Sequence, residues 1–268
     1  MIFNPGLVDC SAAALLCTLV VAYAEIHYKF KFLPSRYRIE APEIIADVPL
    51  RVSPGSNLPI LIFVKDADMY PARIHHVSVQ ITNRSGHKRV VNFNIDRFID
   101  EPWWQRFLWV PRHHDDSGWC EVRVNFKASV LERAQLFMAD NYPLTSHSPF
   151  RCYFADDLLP ALPNFYTGDL HTHSSYTSDQ VEFGAPPISI AQMAQAMGHH
   201  FTAITDHSYD LDDEFENYLQ NDPALKKWKI FLSEVRFCNS HFKDFVMIPG
   251  EEVSCGNASG QNVHMLVL

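Results

Sequence analysis

Two imidazoles one residue apart, in Asp169-Leu170-His171-Thr172-His173, open a spaced series that continues through Asp179, Asp206-His207, Gly250-Glu251-Glu252 and His264. Side chains alternate along an extended strand, so the H-x-H step places both rings on one face, where two ligands can grip one ion. The other members stand far off in the chain. A fold that uses them together must bring several strand ends to one rim, and the series reads as a metal site. Imidazole and carboxylate suit Zn, Mn or Fe better than Mg alone.

The formal charge of −9 is unevenly placed: residues 1–160 hold 17 basic and 17 acidic side chains, whereas 161–268 hold 5 and 14. The whole excess lies in the half that carries the series. Two or three divalent ions would offset about four to six of those charges. The run Asp210 to Glu216 is expected to be a solvated acidic face. No basic stripe is present, so nucleic acid is not expected as a partner. Six cysteines (Cys10, Cys17, Cys120, Cys152, Cys238, Cys255) show neither C-x-x-C nor zinc-finger spacing and are expected to be small packed residues, Cys255 as a loop thiol near Glu252.

With 268 residues and 47% apolar side chains the chain has room for two compact units. Residues 1–34 form an apolar amino-terminal segment. Its uncharged core, Ser11 to Ala24, is short for a bilayer span, and Asp9 precedes it with no Lys or Arg before it. A buried or capping helix is expected, and a helix over Leu7 to Tyr28 would make a poor membrane anchor; no clear membrane partner follows.

Residues 35–159 alternate in short runs divided by turn residues, such as Leu58 to Val64, Ile74 to Ile81, Arg89 to Ile95 and Trp119 to Phe126. That pattern predicts an all-β, Ig-like sandwich. Trp103, Trp104, Trp109 and Trp119 suggest either packing or a sugar platform, with packing preferred. His113-His114-Asp115-Asp116 reads as a solvated turn. Asn83-Arg84-Ser85 and Asn257-Ala258-Ser259 match the glycosylation pattern but lack an export signal.

Two prolines near Asp156 to Asn164 mark a boundary, and in residues 160–268 strand and helix patterns alternate as β-α-β-α-β-β. Pro187 opens one helix and Gly198 stops it; Leu225, Trp228, Phe231, Leu232 and Val235 mark the face of another. The alternation predicts a parallel sheet, barrel or open, with the ligand series at its strand ends.

Asp-Leu-His-Thr-His-Ser (169–174), Ile-Thr-Asp-His-Ser (204–208), Pro-Gly-Glu-Glu-Val-Ser (249–254) and His264 resemble the first four motifs of the PHP (polymerase and histidinol phosphatase) superfamily. The β-rich unit ahead of them makes the chain most similar to the carbaryl-hydrolase-like branch. The resemblance implies the first part of a distorted (β/α)7 barrel with up to three ions. It implies that His171 and His173 bind one ion, Glu252 bridges to a second held by His264, and Asp179 with His207 holds a third. Glu251 would be a neighbour, and Asp169 and Asp206 would orient ligand histidines. It also implies further ligands beyond Leu268, so that the chain would be the front part of a longer protein.

The expected activity is hydrolysis by a metal-activated hydroxide on a phosphoester of a small molecule, served by His171, His173, His207 and Glu252 through two or three Zn, Mn or Fe ions. A bridging Glu252 implies ions about 3.5 to 4 Å apart. Carbamate or carboxylic ester hydrolysis on the same site, and metal binding without catalysis, are the alternatives. No G-x-S-x-G elbow competes with this reading.

Overall fold

Alternating burial builds the first half of the chain in the computed structural model, which describes residues 41–142, 147–177, 184–215 and 217–268. The amino-terminal segment, Cys10, Cys17 and Asp179 lie outside the described residues. Strands β1 (Glu43–Asp47), β2 (Arg51–Val52), β3 (Leu58–Lys65), β4 (Ala72–Thr82), β5 (Lys88–Ile99), β6 (Trp103–Val110), β7 (Gly118–Val130), β8 (Arg133–Met138) and β9 (Phe150–Phe154) follow one another. Along β7, Cys120, Val122, Val124, Phe126, Ala128 and Val130 point inward while the residues between them face out. β3, whose residues are buried from Leu58 to Val64, is the central strand of an antiparallel three-stranded sheet between β1 and β6. The second sheet runs β2-β9-β7-β4-β5, with β8 also paired to β7. One apolar cluster, including Ile44, Ile60, Ile74, Val122 and Phe154, joins the two sheets.

The second half contains β10 (Gly168–Thr172), α1 (Pro187–Met197), β11 (Phe201–His207), α2 (Ser208–Leu211), β12 (Asp213–Glu214), β13 (Asn217–Asn221), α3 (Lys226–His241), β14 (Val246–Gly256) and β15 (Asn262–Val267). Pro187 opens α1, and Gly198 ends it at φ 92°. A Cβ there would lie 2.5 Å from Ser53 Oγ, so only glycine closes this helix against the first half. Around it, Ser53 N–H donates to Ala196 O at 2.8 Å, Arg51 to Met197 O at 2.5 Å, and Ser189 Oγ to Gln105 Oε1 at 2.6 Å. Asp222 caps α3 by accepting from Ala224 N–H and Lys226 N–H, and the α3 face of Phe231, Val235 and Cys238 packs with Ala191, Ile204 and Met247.

These elements correct the expected fold class. Strands β10, β11 and β14 are parallel, but β15 returns antiparallel to β14. The reason is the connection. Asn257 N–H bonds Gln261 O at 2.9 Å and Gly260 N–H bonds Asn257 O at 3.0 Å, a tight turn, whereas a parallel return needs a crossover of a dozen or more residues. In place of an Ig-like sandwich followed by the first part of a (β/α)7 barrel, the described residues form a mainly β chain of four sheets. In the first half, β2 joins β9 in parallel, a long-range pairing that hydrophobic alternation does not encode.

The acidic run is also not a solvated face. Asp210 and Asp213 are buried, and Asp213 pairs with the buried Lys227 ammonium. His113, His114 and Asp115 are exposed, but Asp116 is buried against Arg89. Trp104 packs on the first core, whereas Trp103, Trp109 and Trp119 are exposed. Burial pushes the Cys120 and Cys152 thiols up to about 11 and about 12, which makes them inert packing groups. Among the described residues no helix is long and apolar enough to cross a membrane.

Tyr176 packs on Phe231 and hydrogen-bonds Glu234 of α3. Burial raises the Glu234 carboxyl above its usual range, while the Tyr176 hydrogen bond works against that rise. A raised native pKa favours the protonated folded state, so its stabilising contribution is full below the unfolded carboxylate value and is lost as pH rises through the native one. Urea unfolding from pH 4 to 8 therefore shows wild type gaining stability relative to Glu234→Gln as pH falls; a pH-independent difference between them contradicts the assignment.

Candidate metal centre

Strand pairing delivers the ligands. β11 and β14 lie in parallel register with His207 opposite Glu252, so both reach one end of the sheet on one face. The β14–β15 hairpin sets Leu266 opposite Glu252, which places His264, two residues earlier, on that same face. β10 ends beside β11 and supplies His171 and His173, whose ring centroids are 5.2 Å apart. Around the buried Glu252 carboxylate, Oε2 lies 3.0 Å from His171 Nε2, 3.0 Å from His173 Nε2 and 3.7 Å from His207 Nε2. Oε1 meets His264 Nδ1. Five of the six expected ligands thus converge, and the sixth, Asp179, lies outside the described residues.

Supporting hydrogen bonds fix which ring nitrogens carry protons. Asp206, fully buried, accepts from Ser174 N–H at 2.6 Å, Ser174 Oγ–H at 2.5 Å and Thr177 Oγ1–H at 2.7 Å. The Thr177 hydroxyl, its proton committed to Asp206, accepts from His173 Nδ1–H at 3.0 Å. His207 Nδ1 stands 3.2 Å from the buried Asp210 carboxylate and 2.9 Å from the Tyr209 hydroxyl. In both rings the proton belongs on Nδ1, and Nε2 presents a lone pair toward Glu252.

Two lone pairs aimed at a carboxylate repel it unless a cation lies between them. The spacing fits one: His171 Nε2 and His173 Nε2 are 3.2 Å apart, and two nitrogens at about 2.05 Å on a tetrahedral ion stand about 3.3 Å apart. His171, His173 and Glu252 present ligand atoms within 4.8 Å of one another. Burial, then the neighbouring His207, lowers the His173 pKa, which keeps the ring neutral as a ligand must be. Burial alone would raise the Glu252 carboxyl, but His171 and His264 more than offset it and hold it below its usual value. The donor set fits a divalent ion.

Other residues fall differently. Asp169 accepts the backbone N–H of His171 at 3.0 Å, so it shapes the strand end rather than the ring. Asp206 acts through Thr177, while Glu251, adjacent to Glu252 on an alternating strand, faces away from the cluster. Cys255 Sγ contacts Val253 O and is not a ligand. Ser174, Thr177, Tyr209 and Asp210 were not read from the sequence as part of the site. Asp210 had a local signal, standing three residues after His207 in a helical turn. Thr177 had none, because its partner Asp206 is distant in the chain.

No family model matches the chain, and no curated protein matches it. Among solved structures it is similar to the crystal structure of a Northeast Structural Genomics Consortium target, SoR45, at 13% identity and TM-score 0.27, over 42% of this chain and 86% of that one. It is also similar to the solution structure of a putative late embryogenesis abundant (LEA) protein, at 10% identity and TM-score 0.30, over 60% of this chain and 91% of that one. At those scores neither likeness establishes a common fold. The resemblance to the PHP superfamily is corrected accordingly: four short motifs carried it, no family model extends it, and the mainly β architecture is not that superfamily's TIM-like barrel.

Removing the Asp206 charge should release Ser174 and Thr177 and leave the His173 ring free to turn. Asp206→Asn is expected to weaken Zn or Mn binding about 10- to 100-fold in a chelator-competition titration; unchanged affinity in a folded variant contradicts its positioning role.

Proposed function

We propose that this chain carries a metal-dependent hydrolase centre acting on a phosphoester of a small molecule. The observation that carries the reading is the convergence of His171, His173 and His207 Nε2 on one oxygen of the buried Glu252 carboxylate, at 3.0, 3.0 and 3.7 Å. A divalent ion held there supplies Lewis acidity, lowering the pKa of water toward about 7 and polarising an ester oxygen.

The chain's own residues set the geometry. Glu252 turns one oxygen to His171, His173 and His207 and the other to His264, so these residues would hold the metal through both carboxylate oxygens. His171 and His264 are about half exposed, which leaves the outer side open to a substrate, while the Glu252 side is closed. Thr177, Asp210 and Tyr209 lock the imidazoles, so little reorganisation remains for the reaction.

A carboxylic or carbamate ester is the second reading. Leu266, directly across from Glu252, and Leu268 beyond it expose apolar surface beside the ligands, which suits an aryl or alkyl leaving group better than a phosphate.

Turnover of p-nitrophenyl phosphate, p-nitrophenyl acetate and 1-naphthyl N-methylcarbamate with added Mn or Zn separates these readings. His171→Ala is expected to lose bound metal and at least about 100-fold in kcat/KM on the favoured substrate. Equal metal content and equal turnover in wild type and variant would remove the assignment. Metal binding with no turnover of any ester would leave a binding protein.

A further inference from the structure

The outward face of the second sheet carries an aromatic and cationic groove that the metal centre does not use. Trp119 on β7 and Tyr153 on β9 are cross-strand partners, with ring centroids 5.3 Å apart, and remain 44% and 39% exposed. The next row across the sheet reads Arg151, Glu121, Thr82 and Lys88, and the row after it includes Arg123 and Gln80. The β4–β5 turn brings Asn83 and Arg84 to the same place, closing a groove of 420 Å3. That volume lies within the range of about 300 to 1,000 Å3 typical of small-molecule sites.

The groove's charge runs against that of the chain. Arg84 and Arg151 line it with one acid, Glu121, whose carboxylate Arg123 meets from the adjacent row at 3.9 Å, on a protein whose formal charge is −9. Arg151 lays its guanidinium 4.8 Å from the Trp119 ring centroid. Neither the Arg151 nor the Arg84 guanidinium forms an ion pair or hydrogen bond with another described residue. Forked donors without acceptors, beside an exposed indole, fit a ligand that has both a flat apolar face and a carboxylate. Glu121 narrows the class further: its carboxylate, met by Arg123 at 3.9 Å, accepts hydrogen bonds from hydroxyl groups, so the ligand carries hydroxyls as well as an acid.

We propose that this groove binds an acidic sugar residue, with the pyranose C–H face on Trp119, its carboxylate on Arg84 and Arg151, and its hydroxyls on Glu121, while Asn83 holds the turn that carries Arg84 by accepting from Ser85 and His87 N–H. A uronic-acid oligosaccharide has that chemistry, whereas a neutral glycan lacks the carboxylate and single-stranded DNA lacks the row of ring hydroxyls that Glu121 would accept from.

Calorimetric titration of the full chain with trigalacturonate tests the assignment, with its methyl ester as the uncharged control and a short oligothymidylate as the nucleic-acid control. The expected result is binding to trigalacturonate that weakens at least about tenfold in the methyl ester, in Trp119→Ala and in Arg151→Gln. Circular dichroism should show both variants folded, because each side chain lies on the outer face of the sheet and outside the apolar core. His171→Ala should bind as wild type does, so this site stands or falls apart from the metal centre. Absence of binding up to about 10 mM, beyond the range of weak single-site contacts, would overturn the proposal. So would equal affinity in Trp119→Ala, loss of binding in His171→Ala, or tighter binding of the oligothymidylate.

Discussion

A carboxylate withdrawn from water costs several kcal/mol unless positive charge or strong donors meet it. Glu252 is buried midway along the central strand β14, and imidazoles from β11, β15 and the end of β10 close around it. Two of those rings cannot donate to it, because their protons are held by Thr177 and Asp210. The rest of the site follows from that conflict. The divalent cation we propose would resolve it by accepting the lone pairs of the rings and the charge of the carboxylate together.

The fold supplies the convergence by two simple means. Parallel pairing of β11 with β14 puts His207 and Glu252 level, and a tight hairpin folds β15 back so that His264 returns to the same face. Asp206, which points to the opposite face of β11, ties the segment after β10 to the sheet through Ser174 and Thr177. Gly184 lets the chain pass close behind: a Cβ there would fall 1.8 Å from His173 O. The first half of the chain bears on the second through α1, held by Ser53, Arg51 and Gln105.

Much of the ligand set was legible because its signals are local. The H-x-H step and the paired Asp206-His207 lie at strand ends and the doubled Glu251-Glu252 within β14, and in each case period-two alternation assigns a face. Helix α1 was bounded by Pro187 and Gly198, and α3 by its apolar spacing. Sheet order was not legible. Periodicity does not tell a parallel return from a hairpin, so the tight turn at Asn257 to Gly260 escaped the reading and a barrel was expected where a mixed sheet forms. The acidic run misled for a related reason: composition registers charge but not the buried partners, His207 and Lys227, that Asp210 and Asp213 meet in the fold.

Anomalous diffraction from crystals soaked in Mn or Zn tests the central claim most directly. An ion is predicted about 2.0 to 2.2 Å from His171 Nε2, His173 Nε2 and a Glu252 oxygen. A map with no peak at Glu252, or with its strongest peak at the exposed His113-His114-Asp115 cluster, would contradict it.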